Sequence, residues 1–311
     1  MFILNSLVPI FAVIALGAVL RWSGFLNQQS TQGFNRFAYY FALPAFLVTK
    51  LAQAVGTGAT DRMMLALVLA TIVTLAVAWG VAQFVTQDPR CRGALVHASF
   101  RGNLAFLGLP LILFVVQDRG HTDQQNLEAA VLLAMTPIVI LYNVAAVLTL
   151  VFFNRDAKQE QIWRDMTWRV CSNPILGGCI VGMLLQTTGY QLPVAMERSL
   201  TVIGTSAFPL ALLGIGSQLA SISIGRQWQG AIVASVIKCV FCPVVGWLIA
   251  TCLGLEGIEL LAIVLMCGTP TAVSSFVLTD QMNGDSDMAA SSVVISTSIS
   301  LATLTVILLL M

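Results

Sequence analysis

Ten stretches of the chain stay apolar for about the 20 residues that a bilayer-spanning helix needs, and polar connectors separate them. Their limits are 2–20, 34–53, 63–85, 94–116, 127–153, 170–187, 199–220, 228–252, 259–279 and 289–310. Each predicts a transmembrane helix, because a helix satisfies its backbone groups inside its own segment where no water can. The connectors include SGFLNQQSTQGFN, TQDPRCR and QDRGHTDQQN. The one over 154–169 has the dense mix of charge, and it divides the chain into five-span halves, 1–153 and 170–311.

The halves resemble each other. Pro9 and Pro174 are 165 residues apart, as are Pro44 and Pro209, and Gln53 and Gln218; Pro110 and Pro270 are 160 apart. Ten prolines give many spacings by chance, but these pairs fall at matching places within their spans. Five spans per half turn the second half upside down relative to the first. The expected fold is therefore an all-α integral membrane protein of ten helices in two inverted five-helix repeats.

Charge orients this arrangement. Connectors after odd-numbered spans hold Arg21, Arg36, Arg90, Arg92, Arg155, Lys158, Arg164, Arg169 and Arg226, whereas the other side holds Arg62, Arg119 and Arg198. The positive-inside rule then puts the 154–169 connector in the cytoplasm and both termini in the periplasm.

Two spans are interrupted. Arg101–Val116 reads RGNLAFLGLPLILFVV and Leu265–Asp280 reads LMCGTPTAVSSFVLTD. Proline lacks a backbone donor and clashes with the carbonyl four residues back, so a kink or break is expected near Gly108–Pro110 and a break at Gly268–Pro270. Broken helices in corresponding positions of two halves point to a transporter's binding site. Helices 4 and 9 would cross there and aim freed N–H groups and positive dipole ends at an anion. The competing account is simple kinking, the role assigned to Pro9, Pro44, Pro137, Pro174, Pro209 and Pro243. The polar company of the two breaks favours a site. The candidate substrate-binding residues are Asn103, Arg101, Gly108, Pro110, Thr269, Pro270, Thr271, Ser274 and Ser275.

Arg101 is costly inside a span, which calls for a partner or a wet cavity unless it snorkels to the cytoplasmic interface. On a helix it and Asn103 would point about 200° apart. For Asn103 the alternative to ligand contact is an interhelical hydrogen bond. Lys238 lies mid-span, either functional or buried beside a polar neighbour; Lys50, near a span end, is expected to snorkel. His97 reads as a hydrogen-bonded residue near a helix start. No aspartate or glutamate lies in the middle of a span, so ion coupling through buried carboxylates is disfavoured.

Composition agrees: 58% of the 311 residues are hydrophobic and 9% charged, with mean hydropathy +0.89. A net charge of +1 without a basic run excludes a nucleic-acid partner. Met1–Leu20 lacks a basic leader region and a cleavage site, so it reads as the first span. Of seven cysteines six fall in apolar segments and Cys91 in a connector, which argues against disulfides and metal; no cofactor is expected. HExxH, GxSxG and P-loop motifs are absent, leaving an intramembrane enzyme as the weakest reading.

The stretch Asn103-Leu104-Ala105-Phe106-Leu107-Gly108-Leu109-Pro110 resembles the span-4 signature of the auxin efflux carrier family, which includes the plant PIN proteins. Thr269-Pro270-Thr271-Ala272-Val273-Ser274-Ser275-Phe276-Val277-Leu278, followed by Gln281-Met282-Asn283-Gly284-Asp285, resembles its span-9 signature. The likeness covers essentially the whole chain. It implies ten helices split into scaffold and transport domains that each draw on both repeats, a crossover at Pro110 and Pro270, elevator-like movement, and substrates such as malonate, malate or indole-acetate. Asn103 matches the family's substrate-contacting polar residue. Ser274 stands where bacterial relatives often have asparagine, and the long loop of plant members is missing, which implies a bacterial-type member.

The expectation is a carrier of small carboxylates in the inner membrane, with an anion-conducting channel as the alternative. Its partners would be the substrate and the lipid bilayer, with a homodimer left open.

Overall fold

The computed structural model describes residues 2–53, 60–118, 124–153 and 172–311. The 154–169 connector, with Arg155, Lys158, Arg164 and Arg169, lies outside the described residues, as do Arg119 and Cys171. Within them the fold is helical and contains no strand. In chain order the helices are α1 (Phe2–Trp22), α2 (Gln28–Phe37), α3 (Leu43–Ala52), α4 (Thr60–Val85), α5 (Pro89–Phe100), α6 (Leu109–Asp118), α7 (Gln124–Phe153) and α8 (Pro174–Thr188). Then follow α9 (Val194–Thr205), α10 (Ala207–Leu219), α11 (Trp228–Val236), α12 (Cys242–Cys252), α13 (Gly257–Cys267), α14 (Val273–Gln281) and α15 (Ser286–Leu310). Among the described residues six stretches are long and apolar enough to cross a membrane: Asn5–Trp22, Thr60–Val85, Leu127–Phe153, Val194–Leu219, Trp228–Cys252 and Ser286–Leu310. Leu104–Gln117, Pro174–Thr188 and Gly257–Cys267 are shorter apolar helices.

Prolines shape these elements in three ways. Pro9 and Pro137 lie inside α1 and α7. Pro174 does not kink a helix; it opens α8, with Asn173 accepting from the Ile175 N–H at 3.0 Å. A first helical position suits proline, since its missing donor would have no intrahelical partner anyway. Pro44, Pro110 and Pro243 are each the second residue of an α-helical segment that follows a widened π turn: Ala38–Ala42, Leu104–Gly108 and Ile237–Phe241. In two of these turns the bond reaches five residues back, from the Leu43 N–H to the Ala38 carbonyl and from the Cys242 N–H to the Ile237 carbonyl. That extra residue makes room for the ring without opening the helix. Near Gly108 the structure thus has a π turn in place of a break.

The chain folds into two compact units, each assembled from separate stretches. The first comprises 1–60, 105–136 and 171–221. Here α3 lies against two helices through glycines: a Cβ on Gly178 or Gly182 of α8 would come within 2.9 Å of the Pro44 Cα or 2.8 Å of the Leu51 Cβ, and one on Gly204 of α9 within 2.8 Å of the Phe46 nitrogen. Lipid tails give helices no hydrophobic reason to associate, so close backbone approach across small residues carries the packing. Lys50, expected to snorkel, instead donates to the Glu128 carboxylate at 2.7 Å. Thr31 and Ser217 share a buried hydrogen bond of 2.6 Å.

The second unit comprises 61–104, 137–170 and 222–311. It packs α5 against α11 and α15, α12 against α13, and α14 against α15. Helix α15 buries Ser292, Ser296, Thr297 and Ser300 completely or nearly so. Ser292 and Thr297 donate back to their own helix, to the Met288 and Val293 carbonyls at 2.8 and 2.7 Å, which lets hydroxyls sit in an apolar interior.

Candidate functional site

Within the second unit two helical spans come apart and are tied together at the gaps. Helix α5 ends at Phe100, and Arg101 is extended (φ −81°, ψ 98°). Helix α13 ends at Cys267, and α14 begins only at Val273, after an extended Ala272. Gly102 and Thr271 pair as a single antiparallel bridge. Its backbone bonds run from the Asn103 N–H to the Pro270 carbonyl at 2.8 Å and from the Ala272 N–H to the Arg101 carbonyl at 3.0 Å. Each gap thus supplies partners for groups that the other gap has freed, as a buried interruption in an apolar span requires. The first gap is at Arg101–Asn103, well ahead of Pro110; the second is at the expected Gly268–Thr271. With Arg101 extended, the 200° separation from Asn103 that a helix imposes does not apply.

Gly102 belongs here for lack of space. A Cβ at this position would lie 2.6 Å from the Thr269 Oγ1 and 2.9 Å from the Lys238 Cε. Lys238 is fully buried, and its Nζ donates to the Cys267 carbonyl at 2.6 Å. It therefore caps the last turn of α13, where carbonyls have no helical partner and the dipole favours a cation.

The threonines hold the crossover together. Thr269 Oγ1 donates to the Met266 carbonyl at 2.7 Å, and Thr271 Oγ1 to the Ala98 carbonyl at 2.8 Å. The Thr271 N–H donates to Ser296 Oγ on α15 at 3.0 Å. Other polar groups are differently placed. The Asn103 side chain, 7% exposed, makes no hydrogen bond with the described residues. Ser275 Oγ is buried without a partner, and Ser274 is exposed. No side chain caps α14 at Ala272, so the positive end of that helix is open.

Arg101 is half-buried, and its Nη2 donates to Asn143 Oδ1 on α7 at 3.1 Å. His97 is in the last turn of α5, not near a helix start; it is fully buried and shares a 3.2 Å hydrogen bond with Thr279 Oγ1 through Nδ1. Arg101, Asn103, Thr269, Pro270, Thr271, Ser274 and Ser275 thus belong to one unit, whereas Gly108 and Pro110 belong to the other. Gly102, Asn143, Thr279 and Ser296 also take part, and none of them was a candidate from sequence. Asn143 was signalled as an amide in the middle of an apolar window; the others carried no local signal.

Cys91, expected in a connector, is buried in the first turn of α5. Burial, then the charges of Asp285 and Asp88, push its thiol up to about 11. Among the described residues no three His, Cys, Asp or Glu side chains gather into a metal-binding group.

Residues 2–308 match the family model described as "Membrane transport protein". An "Uncharacterized transporter" of Methanocaldococcus jannaschii is 21% identical over 302 residues, covering 94% of this chain and 93% of that one. Another from Methanothermobacter thermautotrophicus is 21% identical, covering 96% and 95%. A Rhizobium meliloti protein provisionally named a malonate transporter is 24% identical over 317 residues, covering 97% and 94%. The chain belongs to this membrane transport protein family, the one whose auxin efflux carriers its Asn103–Pro110 and Thr269–Leu278 motifs resemble.

Proposed function

We propose that the protein is a carrier, not an enzyme, that moves small organic anions across the inner membrane by alternating access. The substrate class is malonate- or malate-like carboxylates, with aromatic carboxylates such as indole-acetate as the second choice. The relative named for malonate supports the first. The observation that carries the reading is the pair of gaps joined at Gly102 and Thr271, with the side-chain amide of Asn103 beside the bridge making no hydrogen bond to the described residues. An amide can donate to a carboxylate, and the open positive end of α14 adds a favourable field.

The architecture that goes with this function is ten spans in inverted repeats 1–153 and 170–311, with both termini periplasmic. Two discontinuous units support elevator-like movement, the crossover being carried by the unit that contains it. Asn103 and Ser275 are the foremost ligand contacts in this reading. Arg101 and Ser274 provide further polarity, and Thr269, Pro270 and Thr271 shape the backbone.

Purified protein screened by thermal shift against mono- and dicarboxylates identifies the ligand, since a molecule that binds only the folded state raises its stability. Proteoliposomes then decide the mode of transport. Saturable uptake with counterflow of that ligand is expected; flux that neither saturates nor exchanges would make the protein an anion channel.

A further inference from the structure

Lys238 lies in the π turn Ile237–Phe241, a widened turn of a kind that recurs at functional sites. Its ammonium reaches both interrupted spans. On one side Nζ donates to the carbonyl of Cys267, the last residue of α13, at 2.6 Å. On the other, a Cβ built on Gly102 would come within 3.1 Å of Nζ, which sets the ammonium against the backbone just before Asn103. The Cys242 Sγ is 3.7 Å away. The side chain is fully buried, and among the described residues no carboxylate pairs with it.

In carriers built on broken helices, a cation at such a place has a role. The C-terminal ends of half-helices, with the carbonyls freed beside them, coordinate the coupling ion, while N-terminal ends face an anionic substrate. Here the C-terminal end of α13 is taken by a lysine, and the N-terminal end of α14 is open. A buried charge without a partner is costly, so its presence calls for a use. We propose that Lys238 is a built-in counter-ion: its ammonium holds the place of a coupling cation, and the protein moves its anion without co-transporting sodium, potassium, lithium or a proton.

The covalent tether sets the consequences. A free ion leaves when the site opens, whereas this charge stays at the crossover in every state and needs no gradient of its own. Cutting the side chain back to Cβ would vacate a slot between the Cys267 carbonyl and the Gly102 backbone. A small free cation can then stand where the ammonium stood.

The transport part rests on the carrier reading above; the slot does not. Malonate uptake is measured in proteoliposomes with sodium, potassium, lithium or choline as the salt cation, with and without a protonophore. Wild-type uptake should be equal in the four salts and should not fall with the protonophore. Lys238→Ala should lose most uptake in choline, too large for the slot, and regain it several-fold in sodium or methylammonium chloride. Its Tm in detergent should rise with those two salts and not with choline. Lys238→Met keeps the stem without the charge, so it should lose uptake and gain nothing from either salt. Wild-type uptake that requires one of these ions or the proton gradient would overturn the proposal, as would full uptake by Lys238→Met. A folded Lys238→Ala that neither salt rescues or stabilises would overturn the slot, and Lys238→Met decides the role of the charge if Lys238→Ala does not fold. If wild-type protein takes up no malonate in any salt, the carrier reading fails for that ligand, and the Tm of Lys238→Ala still decides the slot.

Discussion

The Asn103 N–H donates to the carbonyl of Pro270 at 2.8 Å, so the residue offered as a ligand contact is held by its backbone and leaves its side chain uncommitted. Asn103→Ala should therefore spare the fold. If the amide donates to a substrate carboxylate, binding should weaken by about 1.5–3 kcal/mol, the range for hydrogen bonds to charged groups. Calorimetric titration with the ligand from the thermal-shift screen checks this, and an unchanged Kd in a folded variant would return Asn103 to a packing role.

Gly102 gives a sharper structural test. Its added Cβ would sit 2.6 Å from Thr269 Oγ1 and 2.9 Å from Lys238 Cε, and both neighbours are fully buried. Gly102→Ala should cost about 1–3 kcal/mol through overpacking. A lowered Tm with reduced ligand response is the expected result. Wild-type Tm would show that the crossover yields more easily than its contacts indicate.

The two prolines should differ. Pro110 follows a π turn and is a residue of neither gap, so Pro110→Ala should leave uptake mostly intact. Pro270 lies in the gap, and alanine there adds a backbone N–H and frees φ beside the bridge. Pro270→Ala should lose most uptake when normalised to protein in the membrane. Equal losses in both would mean that the π turn matters as much as the bridge.

Cys91 predicts a pH dependence. With its thiol at about 11, at pH 8 it should hold roughly a hundredfold less thiolate than an ordinary cysteine. Maleimide should label it slowly in the folded protein and quickly after unfolding. The sign for stability follows: the folded state prefers the proton, so the contribution is complete below the ordinary thiol value. It is lost as pH rises through about 11.

Orientation is tested by fusion after Met311. Alkaline phosphatase should be active and green fluorescent protein dark, as a periplasmic end requires. The reverse would remove the basis for the inverted repeat.

The second gap was legible because Gly268-Thr269-Pro270 interrupts an apolar window by local chemistry alone. The first was misplaced for a physical reason. Pro110 is the residue with the strong local signal, yet a π turn absorbs it. The chain opens at Arg101–Asn103, where a tertiary partner, Thr271, takes over the bonds. Periodicity cannot reveal such a trade, because its two sides lie far apart in sequence. Lys238 shows the same limit: its depth could be counted, but its acceptor is the end of another helix. The helical class and the six long apolar helices were readable, since spanning length and backbone satisfaction are properties of single segments.

The Gly102–Thr271 bridge also bears on entropy. Two backbone bonds already fix the unwound segments, so their chain freedom is lost when the protein folds, before any ligand arrives. A molecule as small as malonate has few atoms with which to offset the ordering of a loose loop. Preorganisation of this kind lets weak individual contacts add up to selective binding, and it predicts that ligand should rigidify the crossover very little beyond its free state.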